Sequence, residues 1–138
     1  MRLPFILALL AAYFVFSPGS DGQKPAAGQT DISRSGSNFL EACSSIDSGG
    51  NKSSVQISND ATCLGWVEGF EDGFTVRDEL LGVPEKDRIV CMPRGMTTLQ
   101  IVHIIKKYLA DYPEKARRPT RYIASIALAR AFPCKARK

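Results

Sequence analysis

Apolar residues recur at steps of three and four in four separate stretches of the chain, and nowhere do they alternate persistently as in a half-buried strand. Phe39, Leu40 and Cys43 place a short helix that Ser37 or Asn38 would cap and that runs to about Ser45. Asp60 suits the cap of a longer helix, Ala61 to about Leu81. On a wheel its Cys63, Trp66, Val67, Gly69, Phe70, Gly73, Phe74 and Val76 share one arc of about 180°, the expected core face. Thr97 followed by Gln100 has the form of a capping box. It opens a third helix to Asp111, striped by Leu99, Val102, Ile105, Tyr108, Leu109 and Tyr112 and closed by Pro113. Pro119 fits the first turn of the last helix, Thr120 to Phe132, which ends at Pro133 and Cys134.

Gly65, Gly69 and Gly73 stand four apart on the long helix, although each glycine costs a helix about 1 kcal/mol relative to alanine. The pattern predicts helix-packing residues, with a second helix lying close against the stripe; the alternative is a ligand or partner chain lying there. The last helix, with Ala124, Ala127 and Ala131, is the expected partner.

The first 19 residues read as a signal peptide: a basic start, an uncharged run of 14 residues from Leu3 to Phe16, then small residues. Such a run spans about 21 Å as a helix, short of the roughly 30 Å hydrocarbon core, so no membrane association is expected after cleavage. Residues 20–36 are mostly small and polar, rich in Gly, Ser, Gln and Asp with one large aliphatic, Ile32, and are expected to be a disordered linker. The domain proper is then 37–134, followed by a basic tail, 135–138. In 138 residues there is room for one compact domain.

Charge is uneven. Residues 1–85 hold 5 Lys and Arg against 11 Asp and Glu, net −6, whereas 86–138 hold 13 against 3, net +10. The basic residues lack aromatic interleaving, which speaks against nucleic acid and for an acidic protein partner or the chain's own acidic half. The loops Gly82–Arg94 and Pro113–Pro119 are read as ordered connections rather than strands.

Four cysteines, Cys43, Cys63, Cys91 and Cys134, at gaps of 20, 28 and 43 lack metal-ligand spacing and predict two structural disulfides in an oxidising, periplasmic or secreted setting. Three pairings are open; antiparallel helix neighbours favour 43 with 63 and 91 with 134. The expected fold class is all-α, a small disulfide-stabilised bundle of about four helices. His103 is the only histidine and has no evident Ser, Cys or carboxylate partner, so it is read as a packing or surface residue. Glu68, Glu71 and Asp72 are read as a solvated helix face. With no second histidine, nucleophile elbow, phosphate loop or metal spacing, the chain is expected not to be an enzyme and to use no catalytic residue, cofactor or metal.

Asn38-Phe39-Leu40-x-x-Cys43, Cys63-Leu64-Gly65-Trp66-Val67-x-Gly69-Phe70-x-Asp72-Gly73, Cys91-Met92-Pro93, Met96-Thr97-x-x-Gln100, Tyr108-Leu109-x-x-Tyr112-Pro113 and Ala127-Leu128-x-x-Ala131-Phe132-Pro133-Cys134 follow one another along the chain. In order and spacing this set resembles the Rap/Tai immunity family, small exported helical proteins that protect bacteria against type VI secretion amidase effectors. The resemblance implies a periplasmic helical protein, often a homodimer, that binds a peptidoglycan amidase and occludes its cleft. Its motifs define scaffold and leave the partner-binding residues unknown. Occlusion needs a rigid protruding element, which makes the loops Gly82–Arg94 and Pro113–Pro119 the candidates. The alternative is a periplasmic structural or chaperone-like helical protein with no single toxin partner.

Overall fold

Side-chain caps open three of the four α-helices among residues 30–134, which this computed structural model describes. The expected signal peptide 1–19, the first part of the expected linker and the tail 135–138 lie outside those residues. Ser35 caps α1 (Gly36–Ala42), Ser53 forms a capping box with Gln56 at the start of α2 (Ser54–Leu80), and Thr97 forms the predicted box with Gln100 for α3 (Thr98–Asp111). Pro119 precedes α4 (Thr120–Ala131), which has no side-chain cap. Short 3-10 helices at Glu85–Asp87 and Pro113–Arg117 sit in the two long connections.

The core lies where α3 packs between α4 and the middle of α2, with α1 against both α2 and α4. Phe39, Val67, Ile101, Val102, Ile105, Ile123, Ala124 and Leu128 are fully or almost fully buried there. Two disulfides close the architecture as all-α: Cys43–Cys63 joins the end of α1 to α2, and Cys91–Cys134 joins the loop before α3 to the end of α4. Each contributes roughly 2–4 kcal/mol, a large share of the stability of a domain this size.

Three expectations are corrected. The long helix begins at Ser54, so Asp60 is no cap; it is a buried mid-helix residue. Ser45 donates to its Oδ1 at 2.8 Å and Lys52 to its Oδ2 at 2.6 Å, which folds the connection between α1 and α2 onto the helix. Nor does the linker reach residue 36. Ile32 is buried, the Thr120 hydroxyl donates to the carbonyls of Ile32 and Ser35, and the Gly36 N–H donates to the Arg118 carbonyl at 3.0 Å. These bonds bring the chain before α1 against the start of α4, and one apolar anchor is sufficient because the backbone groups on both sides are paired.

The third correction concerns Gly65, Gly69 and Gly73, which are exposed rather than packed. A Cβ built at any of them meets nothing within 4 Å. α4 lies on α3 instead, and α2 turns Asp60, Cys63, Val67 and Asp78 inward. Charge at Asp60 and Asp78 hid the true core face, which is centred opposite the glycine stripe. Leu99 and Tyr112 on α3 are likewise partly exposed, while Ile101, outside the expected stripe, is buried.

Glycine matters at Gly36. A Cβ there would lie 2.6 Å from Ile123 Cδ1, 2.9 Å from Leu109 Cδ2 and 3.2 Å from the Ala116 Cα, a backbone atom that cannot turn aside. Gly36→Ala is therefore expected to lower stability by about 1–3 kcal/mol through overpacking. Gly69→Ala is expected to raise it by up to about 1 kcal/mol through helix propensity. Urea unfolding of the two variants beside the parent checks both signs.

Candidate functional site

The loop from Gly82 to Arg94 leaves α2 at Gly82, which has φ +57°, and returns through Cys91. Its path is held at both ends: the Val83 N–H donates to the Asp78 carbonyl at 2.8 Å, and the Cys91 N–H to the Phe132 carbonyl at 3.0 Å. Beneath it opens a cleft of about 610 Å³ with Phe74, Val90, Met92 and Met96 as its apolar lining. Asp78 is buried at its edge, with Arg77 Nη1 at 2.8 Å and Arg88 Nε at 3.9 Å, so the acid is compensated.

Glu71 also lines this cleft, which the reading of a solvated acidic face missed; Glu68 and Asp72 are exposed. Partial burial, followed by the neighbouring Asp72 and Glu68 charges, pushes the Glu71 carboxyl above the usual glutamate range. Asp60, Cys63, Val67 and Asp78 are spaced 3, 4 and 11 along one helix face, and that spacing was the signal available in the sequence for the buried acids.

The second candidate, Pro113–Pro119, is a turn built on the 3-10 helix Pro113–Arg117 and tied to α1. Ser37 Oγ donates to the Ala116 carbonyl at 3.4 Å, and Arg118 N–H to the Lys115 carbonyl at 2.8 Å. Arg118 and Arg121 are exposed, with the Arg118 guanidinium 5.9 Å from the Tyr122 ring centre. Arg130 on α4 lies over Tyr108 and Tyr112 of α3, 5.5 and 4.8 Å from their centres. Arginine–aromatic contacts thus exist between helices, where the linear order of the sequence did not show them.

His103 Nε2 lies 2.7 Å from Asp47 Oδ1, and Lys106 Nζ lies 3.0 Å from Asp47 Oδ2. Hydrogen bonds from His103 and then Lys106 hold the Asp47 carboxyl below the usual range. The cluster is exposed and ties the chain after α1 to α3, a fastening role. Among the described residues no group of three or more His, Cys, Asp or Glu is placed to hold a metal ion. No described helix is long and apolar enough to cross a membrane. The four cysteines are all in disulfides, and the three glycines lie together on the exposed face of α2.

A family model described as Rap1a immunity proteins matches residues 35–134. Comparison with curated proteins and with solved structures gives no match.

Because the folded chain keeps the Glu71 proton to higher pH than the unfolded chain does, Glu71 lowers stability as pH rises from about its ordinary value, 4.5, through its raised folded value. Glu71→Gln is expected to melt higher than the parent at pH 7 and to lose that advantage below about pH 4.5. Thermal melts across pH 3.5–8 check the sign; a variant that melts lower at pH 7 would contradict it.

Proposed function

Because the chain belongs to the Rap1a immunity protein family, we propose that it is an exported, non-enzymatic protein that binds a secreted toxin effector and neutralises it. The family match, which spans almost the whole described body, carries this reading. The finer proposal is that residues 1–19 direct export to the periplasm and that the effector is a type VI secretion amidase that cuts peptidoglycan. The two disulfides fit that oxidising compartment.

Neutralisation is by occlusion of the effector's cleft. The Gly82–Arg94 loop and the Pro113–Pro119 turn suit the task because their backbones are already fixed, so little ordering entropy opposes binding. A homodimer is part of the proposal, as a means of presenting two such surfaces. Mixing the oxidised chain, residues 20–138, with any cell-wall amidase encoded beside its gene is expected to give a nanomolar complex, one effector per protomer, with amidase activity lost. No complex, together with acid-induced unfolding that exposes apolar surface, would replace this reading with a chaperone-like one.

A further inference from the structure

The face of α2 that carries Gly65 and Gly69 forms the floor of a groove of about 440 Å³, walled by Trp66 and Phe70 and rimmed by Ser33 and Arg121. Its chemistry has two halves. Trp66 and Phe70 stack with ring centres 5.0 Å apart and planes 9° apart, giving a flat aromatic wall that Phe39 supports edge-on at 6.2 Å. The glycines leave the floor without side chains, so an incoming apolar group reaches the helix backbone itself. The other half is cationic: Arg121, on the first turn of α4, lines the groove, and Arg118 and Arg117 stand three and four residues before it in the chain. Among the described residues none of these three arginines has a carboxylate within ion-pair distance, although other basic residues, Lys52, Arg77, Arg88, Lys106, Lys107 and Lys115, do.

The turn is held in place. The Thr120 hydroxyl and the Gly36 N–H fix its backbone to the chain before α1, and that same chain places Ser33 on the groove rim. The groove and its arginines are therefore prebuilt, and the absent complement is negative charge beside apolar bulk.

We propose that this groove is a docking site for the effector, and that the effector segment it takes presents a bulky apolar side chain next to one or more carboxylates. The apolar group lies on the glycine floor against Trp66 and Phe70; the carboxylate meets Arg121. This rests on the reading of the chain as an effector-binding immunity protein and adds to it a contact on the face of α2, outside the Gly82–Arg94 loop. The charge of Arg121 also steers an acidic segment toward the groove before contact, which makes the association salt-dependent.

The test measures affinity for any cell-wall amidase encoded beside the gene, purified, by calorimetry at low and high salt, using the full oxidised chain. Arg121→Glu reverses the rim charge, and Gly69→Leu fills the floor at a position where an added Cβ meets nothing within 4 Å. Lys107→Glu, outside the groove, controls for net charge. Melting temperatures establish that all three are folded. Arg121→Glu and Gly69→Leu are each expected to weaken binding about tenfold or more, Arg121→Glu with a flatter salt dependence, while Lys107→Glu stays within about twofold. If the parent does not bind, the immunity reading fails and this inference with it. If the parent binds and both groove variants bind as well as it does, this inference alone is overturned. It is also overturned if Gly69→Leu dissociates a self-associated form of the chain while effector affinity is unchanged, since the groove would then hold a second copy.

Discussion

The bridge between Cys43 and Cys63 keeps the longest helix on the rest of the molecule. α2 has 27 residues, yet only Asp60, Cys63, Val67 and Asp78 on it are buried. Burying an aliphatic side chain contributes about 1.5–3 kcal/mol, so Val67 alone cannot hold such a helix in place. The covalent link at Cys63, the Phe39–Trp66 ring contact between α1 and α2, the Asp60 bonds to Ser45 and Lys52, and the partial burial of Leu64, Phe70 and Phe74 against the core supply the rest. A helix anchored along so narrow a line leaves most of its circumference free, which is how a glycine stripe comes to face solvent.

The same economy shapes the other end. Cys91–Cys134 closes the Gly82–Arg94 loop onto the end of α4, and Thr120 with Gly36 closes the basic turn onto the chain before α1. Both exposed elements are held by cross-links and backbone hydrogen bonds rather than by deep packing. A surface fixed in this way loses little entropy when a partner docks, and that suits a protein whose task is to bind tightly and do no chemistry.

How much of this was legible in the sequence differs by element. α3 was readable because propensity, capping box and periodicity agree: Thr97, Gln100, Val102, Ile105 and Leu109 all point to one helix on one core. The start of α2 was misplaced because Val55 and Ile57 are exposed, so apolar periodicity is silent there. The Ser53 and Gln56 pair offered the same capping signal as Thr97 and Gln100. The glycine stripe was assigned to packing because buried acids at Asp60 and Asp78 look polar on a wheel, and compensation by Lys52, Arg77 and Arg88 is not visible in one dimension. The basic turn and the groove were least legible. They depend on a contact such as Thr120 with Ile32, 88 residues apart in the chain.

The most direct test of the account is survival of cells in which any cell-wall amidase encoded beside the gene is directed to the periplasm, with and without this chain exported alongside it. Lysis without the chain and protection with it are predicted, with protection reduced when Cys43 and Cys63 are both replaced by serine, because α2 and the surface it carries lose their anchor. Undiminished lysis in cells that hold the parent chain folded and oxidised in the periplasm would contradict the account.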